Sequence, residues 1–217
     1  MLVAKSEQLG RIVSGPEVCS LTSKNHHSIL TEGFACPICE KRVVYHQDSF
    51  DQTNEYFRHI DGSSDCFRTE SASDEHRIAT EVTLKRLYNR IKEVTGEPVE
   101  IDVEKWIGIR RKFIIVDIRV SSPLRVAAEV YYKADHLALG RKLNTMFANN
   151  YQAYLIFHRD GRHNIDKVER HIRRIAPLSV GRFNPENLEL KLGDIFSEQQ
   201  INLSRSHRKR LPNYIAI

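Results

Sequence analysis

Three apolar runs between residues 99 and 132 constrain the fold of this chain more than any other feature. They extend from Val99 to Trp106, from Arg111 to Val120 and from Arg125 to Tyr132, with turn-forming residues such as Gly108 between them. Their β-branched and aromatic residues are typical of strands. The runs therefore predict consecutive neighbouring strands, with Trp106 in the core rather than on a base-stacking surface.

Helices are predicted on both sides of these runs. The first begins near Ser71 or Ser73, followed by acidic residues that suit a helix N-terminus, and ends at Gly96-Glu97-Pro98. The second covers Ala134 to Asn149, and the apolar segment Tyr151 to Phe157 then predicts a buried strand. This order predicts an α/β fold with a mixed sheet flanked by helices.

The N-terminal third of the chain has weaker signals for helices and strands than the rest. Residues 1–30 carry weak signals for one or two short strands. Residues 33–68 combine Pro, Gly, cysteines and aromatics, and predict a small loop and hairpin module with little apolar core of its own. We therefore expect two domains, an N-terminal segment with this module over 1–70 and an α/β domain over 71–217 with a basic C-terminal tail.

Composition narrows the function classes. The 217 residues include 33 Lys and Arg against 28 Asp and Glu, a net charge of +5, which favours a polyanionic partner. The apolar stretches are too short to span a bilayer, so no membrane partner is expected. The start, MLVAKSEQLGR, contains no apolar signal core, so a cytoplasmic location is predicted.

A Cys-x-x-Cys knuckle at Cys36 and Cys39 predicts a metal site, because two thiolates at this spacing can bind one tetrahedral zinc ion. His59 and Cys66 are the best candidates for the other two ligands, and together the four would make a closed, structural site. The rival ligands are His26, His27 and His46. Two other interpretations remain open, a redox Cys-x-x-Cys pair and thiols that bind no metal.

Two carboxylates lie within the apolar runs. Asp117 follows Phe113-Ile114-Ile115-Val116, and Glu129 follows Val126-Ala127-Ala128. A buried carboxylate needs a cation, a proton or a partner, so the pair can converge on Mg²⁺ or Mn²⁺. Lys133 and Tyr131 lie close enough in sequence to position a water molecule or stabilise charge. Alternatively, both carboxylates face solvent or pair with Arg110, Arg111 or Arg125.

Basic residues cluster in the C-terminal part of the chain. A third predicted helix extends from Asn164 to Arg174. Candidates for contact with a nucleic-acid backbone are Lys167, Arg170, Arg173 and Arg174 of this helix, and Arg208, Lys209 and Arg210 of the tail. An ordinary solvated basic surface is the competing interpretation.

Several segments together resemble the competence-protein CoiA-like family, whose core belongs to the PD-(D/E)XK restriction-endonuclease-like nucleases. The resemblance covers about residues 33 to 158. In chain order the segments are Cys36-Pro37-Ile38-Cys39, Tyr56-Phe57-Arg58-His59, Ser73-Asp74-Glu75-His76, Arg111 with Val116-Asp117-Ile118, Ala127-Ala128-Glu129-Val130, and Arg141 with Tyr151 and the strand to Phe157.

This resemblance implies a metal-dependent nuclease acting on DNA, with Asp117 and Glu129 as the metal-binding carboxylates. Glu81 would be an additional acidic residue on the first helix, and Arg111 and Arg141 would contact nucleic acid. The family pattern places Lys or Gln where this sequence has Tyr131, and Lys133 follows on the same face of the strand. RNA, a protein partner and a homodimer remain open.

The runner-up interpretation is an inactive, nuclease-like zinc protein that binds nucleic acid or a protein. A zinc-containing transcriptional regulator is a third.

Overall fold

The computed structural model describes residues 1–22, 33–47, 55–61, 74–109, 112–131, 136–157 and 178–193. These residues form a mixed α/β structure with two sheets and three helices. Several predicted features lie outside the described residues, namely the Ser71 or Ser73 helix start, the helix over 164–174 and the basic tail.

The N-terminal sheet has five antiparallel strands in the order β2-β1-β3-β4-β5. The weak strand signals before residue 30 are confirmed as β1 and β2. They pair with the cysteine-containing segment instead of standing apart from it, and a helix that was not predicted, α1, follows them. The elements are β1 (Val3–Ser6), β2 (Arg11–Ser14), α1 (Gly15–Thr22), β3 (Phe34–Ala35), β4 (Arg42–Gln47) and β5 (Glu55–His59).

The second sheet has six strands in the order β11-β10-β9-β8-β7-β6. Strands β8, β9 and β10 run parallel to one another, and the other pairs are antiparallel. The three apolar runs are confirmed as β6, β7 and β8, whereas β10 and β11 were not predicted. The elements are β6 (Glu100–Ile109), β7 (Lys112–Ser122), β8 (Val126–Tyr131), β9 (Gln152–Phe157), β10 (Leu178–Asn184) and β11 (Glu189–Lys191).

Two helices cover opposite faces of the six-stranded sheet, as the sequence predicted. They are α2 (Asp74–Thr95) and α3 (His136–Ala148). Side chains alternate between the faces along a strand. On β9, Tyr154 packs with the cluster that includes α2, whereas Leu155 packs with the cluster that includes α3. Every residue of β9 is therefore buried.

The predicted end of α2 is confirmed at a glycine cap. The N–H of Gly96 donates to the carbonyl oxygen of Lys92 at 2.8 Å. Gly96 has φ of +70°, a left-handed conformation that costs glycine little. Pro98 follows and cannot continue the helix.

The N-terminal sheet is docked on α2. Val3 and Ile12 are buried in the same cluster as Leu87 and Ile91 of α2. Asn89 of α2 pairs with the backbone of Ile12 in both directions, accepting its N–H at 3.0 Å and donating to its carbonyl oxygen at 2.8 Å. Because β2 is the edge strand of its sheet, the side chain of Asn89 makes the backbone hydrogen bonds that a further strand would otherwise make.

The predicted domain boundary near residue 70 lies outside the described residues. The two sheets share one hydrophobic cluster through α2, so the N-terminal sheet buries apolar surface against the α/β part of the chain. The division at 70 stays a prediction.

The prediction that Trp106 belongs to the core is wrong. Its side chain is 59% exposed, because it lies on β6, the edge strand of the six-stranded sheet, on the face opposite buried Ile107. Among the described helices, none is both long and apolar enough to cross a membrane.

We predict that Asn89→Ala lowers the free energy of unfolding by about 1–3 kcal/mol, because it leaves the N–H and C=O of Ile12 without these partners. Urea unfolding measures the change. The control is Arg90→Ala, which removes an exposed pair with Glu93 worth at most about 1 kcal/mol. Equal losses in the two variants would contradict the docking role of Asn89.

Candidate metal centre and acidic site

The knuckle at Cys36 is held by backbone hydrogen bonds. The N–H of Cys36 donates to the carbonyl oxygen of Lys41 at 2.8 Å, and the N–H of Glu40 donates to the carbonyl oxygen of Cys36 at 3.0 Å. Glu40 takes a left-handed φ of +58° to close the turn. Inside this turn, the N–H of Ile38 donates to Cys36 Sγ at 3.4 Å.

Strand β5 brings His59 to the knuckle. His59 pairs with Val43 of β4, and its Nε2 lies 3.3 Å from Cys39 Sγ. The ligand atoms of Cys36, Cys39 and His59 all lie within 4.8 Å of one another. Two sulfurs and one imidazole nitrogen at these separations can hold a metal ion.

The other predicted ligands do not join this group in the described part of the chain. Cys66, His26 and His27 lie outside the described residues. The rival ligand His46 stacks on Tyr56 instead, with ring centroids 5.4 Å apart and planes 13° from parallel. His46 is therefore not part of the Cys36, Cys39 and His59 group.

A second candidate site lies where β7 and β8 separate. The two strands pair from Val120 and Val126 to Ile118 and Ala128. Two residues beyond Ala128, the N–H of Val130 donates to the side chain of Asp117, at Oδ2, at 2.7 Å. The side chain of Asp117 thus occupies the split and lies beside Glu129, close enough to influence its ionisation.

Glu129 is buried, with 2% of its surface exposed. Its Oε2 accepts a hydrogen bond from Lys142 Nζ of α3 at 2.6 Å. Its Oε1 is buried without a hydrogen-bond partner among the described residues. Burial, and then the charge of Asp117, raise the pKa of Glu129 to about 8, although Lys142 opposes the shift.

His76, in the first turn of α2, contacts the other oxygen of Asp117. Its Nε2 lies 3.5 Å from Asp117 Oδ1. The hydrogen bond with Asp117 raises the pKa of His76, against the opposing effect of burial, and the charge of Glu104 adds to the increase. One carboxylate therefore connects β7 to both β8 and α2.

Reasoning from the sequence missed the role of Lys142 and gave none to His76. A signal for Lys142 was present, because it lies beside the stripe of Leu139, Leu143 and Met146 that α3 turns toward the sheet. The residues predicted instead are Lys133 and Tyr131. Lys133 lies outside the described residues, and of Tyr131 the structure describes only the backbone, at the end of β8.

The predicted additional acid, Glu81, has other partners. It is buried, and its carboxylate accepts hydrogen bonds from the backbone N–H groups of Leu2 and Val3. Burial raises the pKa of Glu81, and these bonds oppose the shift. The structure thus places this carboxylate against the N-terminal strand rather than with Asp117 and Glu129.

Of the predicted nucleic-acid contacts, Arg141 is exposed on α3 directly before Lys142. The remaining ones lie outside the described residues. They are Arg111, Lys167, Arg170, Arg173, Arg174, Arg208, Lys209 and Arg210.

No protein-family model, curated protein or solved structure that was compared with the chain matches it.

We predict one equivalent of a thiolate-binding divalent metal per chain at the Cys36, Cys39 and His59 group. Co²⁺ titration should give thiolate-to-metal absorption in the wild type, and Cys39→Ser should lose it. The matched control is Cys19→Ser in α1, which lies outside the group. Equal absorption in the two variants would show that Cys39 is not a ligand.

We predict that stability falls as pH rises from about 5 to 8 when no divalent metal is added. Glu129 has an ordinary pKa of 4.5 and a pKa of about 8 in the folded chain, so the folded state binds its proton more tightly. This contribution is complete below the lower value and is lost as pH rises through the upper one. The raised pKa of His76 acts in the same direction.

Urea unfolding of wild type and Glu129→Gln across this pH range isolates the effect of Glu129. In wild type, Glu129 should make the free energy of unfolding fall by at most about 1.4 kcal/mol per pH unit, and this contribution should be absent from the variant. Glu189→Gln, at an exposed position on β11, serves as the control. Identical slopes for wild type and Glu129→Gln would refute the assignment.

Proposed function

We propose that the chain is a metal-dependent nuclease that hydrolyses phosphodiester bonds of DNA, with a CoiA-like, restriction-endonuclease-like core. The observation that supports this most is the buried Glu129 Oε1, which has no hydrogen-bond partner among the described residues and belongs to a carboxyl beside Asp117. A buried acceptor with an acidic neighbour is unfavourable alone and becomes favourable when a cation binds.

Asp117 and Glu129 are the residues that would hold the cation. Mg²⁺ prefers carboxylate oxygens, and one or two carboxylates are usually enough because water and phosphate oxygens complete its shell. Mn²⁺ suits the same ligands. When bound, such a cation supplies polarisation of a phosphate oxygen and acidification of a water molecule.

Lys142 takes the place that the sequence suggested for Lys133. Its Nζ lies 2.6 Å from Glu129 Oε2, so its positive charge is fixed at the edge of the acidic site. An ammonium group there can hold the attacking water and stabilise negative charge that develops on the phosphate. Hydrolysis joins the water oxygen to phosphorus and breaks the bond to the leaving oxygen, which takes up a proton.

His76 acts as a positioning residue for Asp117. Asp117 receives the N–H of Val130 on Oδ2 and faces His76 Nε2 with Oδ1. These two contacts fix the plane of the carboxylate before any cation arrives. Preorganisation of this kind lowers the cost of binding.

The Cys36, Cys39 and His59 group is proposed to hold structural zinc, because thiolate and imidazole ligands suit Zn²⁺ better than Mg²⁺. Cys66 is the proposed fourth ligand. A cytoplasmic location belongs to this proposal, since it keeps the thiols reduced.

A polyanionic substrate agrees with the net charge of +5 and with Arg141 exposed next to Lys142. DNA is proposed first and RNA second.

We predict divalent-metal-dependent cleavage of DNA that Asp117→Asn, Glu129→Gln and Lys142→Met each lower by at least about 100-fold, because each removes a charge acting on the reacting phosphate. Plasmid, linear duplex, single-stranded DNA and RNA should be assayed with Mg²⁺ and with Mn²⁺. Circular dichroism and zinc content show whether each variant keeps its fold.

Matched controls are Glu100→Gln, an exposed carboxylate at the far end of β6, and Lys191→Met, an exposed lysine on β11. Both should cleave like wild type. A wild type that is inert on every substrate with both metals would contradict the nuclease, and would favour an inactive zinc protein that binds nucleic acid or a protein.

A further inference from the structure

The end of the β6–β7 hairpin carries an exposed apolar surface. Trp106, Phe113 and Ile115, here called the hairpin patch, are 59%, 55% and 55% exposed. Trp106 pairs directly with Ile115, and Phe113 pairs with Gly108. Because Gly108 has no side chain, β6 places nothing beside the ring of Phe113 at that pair.

The hairpin patch begins next to the acidic site. Phe113 and Ile115 alternate with Ile114 and Val116, which pack in the cluster that includes α3, so both lie on the other face of β7. Ile115 is two residues from Asp117, about 7 Å along the strand. Opposite them, Glu104 lies between two positions paired with β7, and Trp106 is again two residues away. The patch thus extends outward from Asp117.

The backbone of Trp106 is held by Arg119 of the neighbouring strand β7. Arg119 donates from Nη1 to the carbonyl oxygen of Trp106 at 3.3 Å and from Nη2 to Asp102 Oδ2 at 2.6 Å. These contacts hold β6 against β7 on either side of the acidic site. A ring held on a braced backbone can stack on a flat ligand with little loss of conformational entropy.

The chemistry of the patch suits a nucleic-acid base better than a second copy of the chain. Three side chains that each bury at most about 150–250 Å² fall short of the roughly 800 Å² per partner of a standard protein interface. Unpaired bases of a nucleic acid stack on aromatic side chains, and the patch places two aromatic rings near the proposed phosphate-cleaving site. In a duplex the base faces are covered by neighbouring pairs only about 3.4 Å away.

We propose that the hairpin patch stacks an unpaired base of the nucleic acid whose phosphate lies at Asp117 and Glu129, so that the substrate is single-stranded or locally unpaired. This inference rests on the proposed function and adds the substrate class.

Trp106 is the one tryptophan of the chain, so its fluorescence reports on the patch directly. Wild-type protein with Ca²⁺ as the added cation should be titrated with a thymidine oligonucleotide and with a duplex of the same length. We expect saturable quenching by the single strand and little change with the duplex.

A labelled oligonucleotide then measures affinity in the variants. Trp106→Ala should weaken binding of the single strand by about 5-fold to 150-fold, the range that loss of one stacked base corresponds to. Trp106→Phe should keep most of the affinity because it keeps a ring. The control is Val94→Ala, 56% exposed and about 27 Å along α2 from His76.

The outcomes separate this inference from the proposed function. Cleavage with unchanged Trp106 emission, or with equal affinity for Trp106→Ala and wild type, overturns the stacking surface and leaves the nuclease. Equal quenching by duplex and single strand also overturns it. A wild type that is a dimer, with a Trp106→Ala variant that is a monomer, overturns it as well, because the patch would then be a dimer interface. Quenching by single strands without any cleavage supports the surface and contradicts the nuclease.

Discussion

The acidic site of the α/β part of the chain depends on the burial of one carboxyl group, that of Glu129. Glu129 is enclosed by β8, the split between β7 and β8, and α3. Ion pairing with Lys142 is not enough to keep its pKa at the ordinary value, because burial and Asp117 act in the opposite direction. A buried carboxyl group of this kind lowers the stability of the fold when no cation is bound. The same cost favours the binding of a cation.

Helix α2 links the two candidate sites. Its first turn supplies His76 to Asp117, and further along Asn89 holds the edge of the N-terminal sheet. Lys85 of the same helix pairs with Glu17 at 2.6 Å. The Cys36 knuckle and the acidic site thus lie on two sheets that both pack against α2.

Much of this arrangement could be predicted from the sequence, because strand and helix periodicity are local. The runs that became β6, β7 and β8 put Asp117 and Glu129 on adjacent strands, and the Cys-x-x-Cys spacing indicated the knuckle. Lys142 could not be assigned to Glu129 in this way, because a helix reveals its buried face but not the strand residue that this face meets. Trp106 was misplaced because exposure depends on which strand lies at the sheet edge.

Cation binding by Asp117 and Glu129 is the claim on which the proposed chemistry depends. Mn²⁺ binding to zinc-loaded protein, followed by electron paramagnetic resonance, tests it most directly. One Mn²⁺ per wild-type chain, with binding strongly weakened in both Asp117→Asn and Glu129→Gln, is the expected result. Mn²⁺ binding that is unaffected by either substitution would contradict it.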